Sequence, residues 1–174
     1  MLSESSVDIP EGVTATMDGK MLIVEGPKGK LTRNMRYPGI DVSCDGAVFT
    51  VSTASVRKKI IAMVGTYAAH ARNMCGGVTE GYEYKMKVVY SHFPIQLKKT
   101  EKALEIINFL GEKQPRIARI SEGVTVSTGN DEVTITGIDK ELVGTTAARI
   151  ERATHVRNRD PRVFQDGIYI IEKA

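Results

Sequence analysis

The sequence predicts an α+β fold in two tandem related domains, each a small, mainly antiparallel sheet packed against one helix. Three observations lead to it. "IPEGVTATMDGKMLIVEGPKGKL" at 9–31 aligns without a gap to "ISEGVTVSTGNDEVTITGIDKEL" at 120–142, at an offset of 111 residues. "VGTYAAHARN" from Val64 aligns to "VGTTAARIER" from Val143 at an offset of 79. Internal self-similarity of this kind marks a repeated structural unit. The offsets differ by 32 residues, so the first copy carries extra chain between its hairpin and its helix. Finally, "GGVTEG" is the most turn-like stretch in mid-chain and sets a boundary near Gly81, giving domains 1–81 and 82–174.

In the first copy "GVTATM", "KMLIVE" and "AVFTVS" read as short strands, separated by Asp18-Gly19, Pro38-Gly39 and Asp45-Gly46 turns. A helix follows from about Ala54 to Cys75, with Ser52 or Thr53 as its cap and Gly76-Gly77 as its stop. Ile60, Val64, Tyr67, Ala71 and Met74 give that helix one apolar face. "YEYKMKVVY" then alternates Tyr82, Tyr84, Met86, Val88 and Tyr90 against Glu83, Lys85 and Lys87, the pattern of a half-buried strand. "FPIQL" and "ALEIINF" flank the turn "KKTEK" as a hairpin, although "EKALEIINFL" also has helical spacing. The second copy's helix starts near Lys140 and turns Val143, Ala147 and Ile150 inward. Gly65, Ala68 and Ala69, with Gly144, Ala147 and Ala148, predict a close approach of helix to sheet. "GIYII" at 167–171 returns the chain to a sheet.

Composition narrows the function classes. At 174 residues and 41% hydrophobic, the chain can bury a core in each domain. Net charge is +3, and the halves at Gly81 carry +1 and +2, so total charge names no polyanion partner. Cys44 and Cys75 lack metal-ligand spacing and read as reduced thiols of a cytoplasmic protein. "MLSESSVDIP" has neither the basic nor the apolar region of a secretory leader, and no apolar run is long enough to span a bilayer.

The stretch "VEGPKGKL" at 24–31 invites a phosphate reading. A Walker A loop needs four residues between its glycines and then Lys with a hydroxyl residue, whereas Gly26 and Gly29 are separated by two. A KH clamp needs flanking helices, and a β-type run precedes this loop. The second copy reads "ITGIDKEL", where Lys28 and Lys30 give way to Asp139 and Glu141 while Gly137 persists. The stretch is a turn, with Lys28 and Lys30 left as secondary candidates for an RNA contact. Lys98 and Lys99 in the later turn form a further secondary pair.

The principal polyanion candidate lies near the C-terminus. Arg149, Arg152, Arg157, Arg159 and Arg162 fall within fourteen residues whose acids are Glu151 and Asp160, and His155 sits among them. Guanidinium groups match phosphate oxygens, and a dense group of them creates a local field whatever the net charge. The plainer reading is a solvated helix end whose arginines pair with Glu151, Asp160 and Asp166. Five cations exceed the two acids among them, and they continue into "HVRNRDPRVF", where Pro161 indicates an irregular segment. His70, His92 and His155 come with no nucleophile elbow, metal spacing or dinucleotide turn, so the sequence predicts no enzyme, cofactor, metal or small-molecule substrate. His92, beside Phe93-Pro94, reads as an ordinary loop histidine or as a ring that stacks on or hydrogen-bonds to RNA.

The stretches "GVTEGYEYKMKVVYSHFPI", "GIDKELVGTTAARIE" and "RNRDPRVFQDGIYIIEK" closely resemble the family of the sixth protein of the large ribosomal subunit, in its archaeal and eukaryotic branch. The most specific element is Arg162-x-Phe164-x-Asp166-Gly167-Ile168-Tyr169-Ile170; Arg152 stands where the resemblance leads one to expect glutamine. The resemblance implies two tandem α+β domains in a ribosome-bound cytoplasmic protein. Its partners would be large-subunit rRNA, near the sarcin-ricin and factor-binding region, and neighbouring ribosomal proteins. It further implies that Arg157, Arg159 and Arg162 meet rRNA phosphates and that Arg149 and Arg152 extend that surface. Phe164 and Tyr169 alternate with polar residues and are expected to pack, and Asp166-Gly167 to turn. The runner-up is a protein-binding adaptor whose basic arm meets acidic partners.

Overall fold

The computed structural model describes residues 3–160 and 162–173. Pro161, read above as the mark of an irregular segment, lies outside the described residues. The chain divides into two compact units, one ending at Gly81 and the other beginning at Tyr82.

In the first unit the described strands are β1 (Ser3–Asp8), β2 (Thr14–Asp18), β3 (Met21–Gly26), β4 (Gly29–Asn34), β5 (Asp41–Cys44) and β6 (Val48–Thr53), followed by helix α1 (Lys58–Thr79). They form two antiparallel sheets, β2-β3-β4 and β1-β6-β5. Strand alternation dictates the burial. Leu22 and Val24 point inward from β3, with Ala15 and Leu31 paired opposite Val24; Phe49 and Val51 do the same on β6. Helix α1 covers them with Val64, Tyr67, Ala68, Ala71 and Val78. "VEGPKGKL" is the β3–β4 hairpin, closed by Gly26 opposite Gly29.

Helix α1 departs from expectation at both ends. It begins at Lys58, not Ala54, because Thr53 belongs to β6 opposite Ser3 and its hydroxyl is spent on the Gly39 carbonyl and the Ser55 amide. Gly76 and Gly77 lie inside the helix instead of stopping it. Two helical glycines cost roughly 1 kcal/mol each relative to alanine, but the extra turn seats Val78 in the core. The stop falls at Gly81, whose φ of 76° and N–H bond to the Gly76 carbonyl (3.2 Å) end the helix in a left-handed residue.

The second unit contains β7 (Tyr82–Val89), β8 (Gln96–Lys99), β9 (Ala103–Ile107), β10 (Arg116–Arg119), β11 (Val124–Thr128), β12 (Glu132–Gly137), helix α2 (Lys140–Ala153) and β13 (Gly167–Lys173). Its sheets are β11-β12-β7-β13 and β10-β9-β8, again antiparallel. "ALEII" is a strand, since Leu104 and Ile106 are both fully buried at a spacing of two. Lys98 and Lys99 sit on β8 itself, and the turn is tighter than expected, closed by the Thr100 amide on the Ala103 carbonyl at 2.8 Å. The core gathers Met86, Phe109, Val126, Ile135 and Ile168 beneath Val143, Ala147 and Ile150 of α2.

The repeat is visible in three dimensions. Hairpins β2–β3 and β11–β12 correspond, and Val64, Ala68 and Ala71 are buried as are Val143, Ala147 and Ile150. The match lapses after Gly26 and Gly137: Leu31 lies on β4, whereas Leu142 lies on α2. The extra chain of the first copy is β4, β5 and β6. The predicted small-residue approach is partly corrected, because Gly65 faces open space and Ala148 is exposed; Ala68 and Ala147 make the contact, and Gly144 lies against Tyr84 of β7. Cys44 and Cys75 are free thiols, and burial pushes the Cys75 thiol up.

Candidate nucleic-acid interface

Helix α2 starts cleanly because the Asp139 carboxylate accepts from the Glu141 amide at 2.8 Å. Its inner stripe fixes the rotation, which leaves Arg149 and Arg152, three residues apart, as neighbours on the exposed face. Arg149 donates to the Ser121 hydroxyl at 3.2 Å. Among the described residues Arg152 and Arg157 have no carboxylate partner.

The end of α2 is held from two sides. Buried Thr154 donates its hydroxyl to the Glu151 carbonyl (3.1 Å) and accepts from the Ile168 amide (3.0 Å), joining the helix to β13. Arg116 reaches from β10 to the Ala153 and His155 carbonyls at 2.9 and 3.0 Å, places its guanidinium 4.3 Å from the Phe109 ring centroid, and forks onto Glu112. A cation there satisfies orphan carbonyls and meets the negative end of the helix dipole. The guanidinium's hydrogen bonds hold the Glu112 carboxyl below its usual range against the effect of burial. Arg116→Ala is therefore expected to lower stability by about 1 to 2 kcal/mol in urea unfolding and to fray the last turn of α2 in amide exchange.

Beyond the helix, the segment is ordered by a buried carboxylate. Asp166 accepts from the Ser91 and His92 amides at 3.0 and 3.3 Å and from His92 Nδ1 at 2.9 Å. Burial pushes its carboxyl up, but these hydrogen bonds prevail and leave it below the ordinary value. The His92 ring then stacks on Phe164 at 4.6 Å, and the Arg159 guanidinium lies 4.6 Å from the centroid of that ring. Asp166 is thus a buried anchor, not a turn residue, and Phe164 packs from an irregular segment instead of a strand, because β13 begins only at Gly167.

The structure brings Arg149, Arg152, His155 and Arg157 to the end of α2, and His92 joins this region through Asp166. Arg162 is turned onto Asp160, with Nε 3.2 Å from the carboxylate, and its amide and guanidinium hold that carboxyl below the usual range. Lys28 is engaged within the first unit, its ammonium donating to the Glu80 carbonyl and its amide to Val78 at 3.0 Å. Lys30 lies 3.9 Å from Glu25, so neither lysine of the hairpin stands unpartnered. Lys98 and Lys99 are exposed on β8, with Lys98 opposite Glu105. Tyr169, expected above to pack, is instead 42% exposed, because it lies on the outward face of β13. With Arg116, Ile117 and Gln165, which sequence reasoning passed over, it lines two depressions meeting at Arg152, of about 640 and 400 Å³. The alternation in "RIAR" at 116–119 was a readable signal for the first two. No group of three or more His, Cys, Asp or Glu among the described residues could hold a metal ion. No helix among them is long and apolar enough to cross a membrane.

The family model for ribosomal protein L6 matches this chain twice, over residues 9–81 and 93–167. The chain belongs to the ribosomal protein L6 family. Relatives named large ribosomal subunit protein uL6 agree over nearly the whole length. The one from Methanospirillum hungatei is 60% identical over 100% of this chain and 99% of its own. Those from Methanothrix thermoacetophila and Methanocella arvoryzae are 50% and 52% identical, over 96% and 97% of this chain and 95% and 96% of theirs. The L6 family is structural and non-enzymatic. The first L6 match ends where the first unit does, and the second contains α2 and every arginine of the basic segment.

Proposed function

We propose that this chain is a structural constituent of the large ribosomal subunit in the cytoplasm. It binds large-subunit rRNA near the sarcin-ricin and factor-binding region and stabilises its tertiary structure, beside neighbouring ribosomal proteins. The second unit, residues 82–174, is the main RNA-binding domain. The observation that carries the site is the pair Arg152 and Arg157, exposed at a doubly anchored helix end and without a carboxylate partner among the described residues. Cations held on a rigid element lose little freedom on meeting phosphate, and counterion release makes such contacts favourable without chemistry on the RNA. Arg149, Arg159 and Arg162 extend the field, and His155 lies within it; the partnered Lys28 and Lys30 fit this role less well than the exposed Lys98 and Lys99.

The test is the salt dependence of binding to an rRNA fragment containing the sarcin-ricin region. Arg152→Ala combined with Arg157→Ala is expected to make the slope of log affinity against log salt shallower by roughly 1.4 to 1.8, at about 0.7 to 0.9 per phosphate contact. An unchanged slope with unchanged affinity would remove the helix end from the interface and turn attention to Lys98 and Lys99.

A further inference from the structure

The larger depression beside α2 has a lining that phosphate neutralisation does not explain. It has a volume of about 640 Å³ and lies between the last turns of α2 and the start of β13, with Glu151, Arg152, His155, Phe164, Gln165 and Tyr169 around it. Tyr169 is 42% exposed, although it sits in a strand whose preceding residues, Gly167 and Ile168, are buried. Its ring is folded back over Gly167, where a Cβ would lie 3.0 Å from it, and its hydroxyl donates to the Gln165 carbonyl at 3.2 Å. A ring fixed at its far end and kept bare along its flank is held ready for a flat partner.

Resting on the RNA-binding reading above, we infer that this depression receives a single unpaired nucleobase of the bound RNA, stacked on Tyr169. The charges divide the occupant into parts. Arg152 lies at the junction with the second depression, where Arg157 and Arg116 are found, which suits the phosphates flanking the base. Glu151 lines the base's own depression, where a carboxylate repels phosphate but accepts from an exocyclic amine. The occupant is therefore a base that turns an N–H donor toward Glu151, either the exocyclic amine of adenine, guanine or cytosine or the ring N–H of guanine or uracil. Single-stranded and looped RNA is recognised in this way, by aromatic stacking and hydrogen bonds to base edges.

The experiment uses the full chain and the sarcin-ricin rRNA fragment, with 2-aminopurine placed in turn at each unpaired position. Wild type is expected to change the emission at one position. Tyr169→Ala is expected to abolish that change and weaken binding roughly 5- to 150-fold, the worth of one stacked base, while the salt slope stays as in wild type. Tyr169→Phe, which keeps the ring, should retain the change. Gly167→Ala introduces no charge and needs no unusual backbone angle, and its Cβ would push the Tyr169 ring by only a few tenths of an ångström, so the emission change should persist with its amplitude altered. Wild-type affinity and an intact emission change in Tyr169→Ala, or no responsive position in wild type, would overturn the base site and leave the phosphate contacts standing. Salt-independent or absent binding by wild type would instead overturn the RNA reading itself, and this proposal with it.

Discussion

Asp166→Ala is expected to destabilise the second unit by about 3 kcal/mol and to expose the Ser91 and His92 amides to hydrogen exchange. The carboxylate is 1% exposed and accepts from two backbone amides and an imidazole Nδ1. Because an ionised carboxylate can only accept, Nδ1 must be the ring nitrogen that carries the hydrogen toward it. Removing the acceptor forfeits these bonds, and hydrogen bonds to a charged acceptor contribute about 1.5 to 3 kcal/mol, while the donors, on the exposed Ser91 and His92, turn in part to water. Damage spreads through the His92 ring to Phe164 and Arg159, so RNA affinity should fall as well. The effect also has a pH signature. The folded-state value of this carboxyl is depressed, so its contribution is fully present above the ordinary carboxylate value, about 3.9, and is lost as pH falls through the lower folded value. The stability gap between wild type and Asp166→Ala, followed by urea unfolding, should be constant near neutrality and narrow below about pH 4. A gap that does not narrow there would show that the residue acts through packing and not through its charge.

Gly26→Ala is expected to cost about 2 to 3 kcal/mol, near the upper end for overpacking, and more than the equivalent Gly137→Ala. A Cβ on Gly26 would lie 2.7 Å from Val78 Cγ2 and 3.0 Å from the Val78 carbonyl oxygen. That carbonyl accepts from the Lys28 amide, so the clash cannot be relieved by turning a side chain without disturbing the hairpin's tie to α1. At Gly137 the near atom is a Val143 methyl at 2.8 Å, and the backbone neighbour, the Gly123 carbonyl, is 3.4 Å away. A side chain there can shift by a few tenths of an ångström, which lowers the expected cost to about 1 kcal/mol. Thermal unfolding of the two variants side by side checks the order; equal costs would mean that the hairpin moves away from α1 without resistance. Glycine is therefore retained at the two aligned positions for the same reason, close approach to a helix, although the contact falls near the end of α1 and near the start of α2.

Much of this was legible in the sequence because it is local or repeated. The two α+β copies, the inward stripe of α2, the strand "YEYKMKVV", the hairpin at Asp18-Gly19 and the turn at Gly26–Gly29, though not the strand β4 after that turn, follow from residues within a few positions of one another. So does the density of arginines at the end of α2. Errors arose where two local signals competed. Ser52 and Thr53 can cap a helix or pair in a strand, and long-range pairing with Glu4 and Ser3 decided for the strand. Gly76-Gly77 can stop a helix, and burial of Val78 carried it past them.

What the sequence determined by itself is the repeated α+β architecture and the place where positive charge is concentrated. Only the tertiary structure decided which cations remain available. Lys28 is taken up by a carbonyl 52 residues away, and Arg116 by carbonyls 37 and 39 residues away, whereas Arg152 and Arg157 have no carboxylate partner among the described residues. It also brought His92 to Asp166 across 74 residues and folded Tyr169 over Gly167 at the mouth of a depression. The physical reason is that hydrophobic periodicity and turn chemistry act over the span of one element. The partner of a given charge or ring depends instead on which elements the sheets bring side by side, and that is a property of the assembled core.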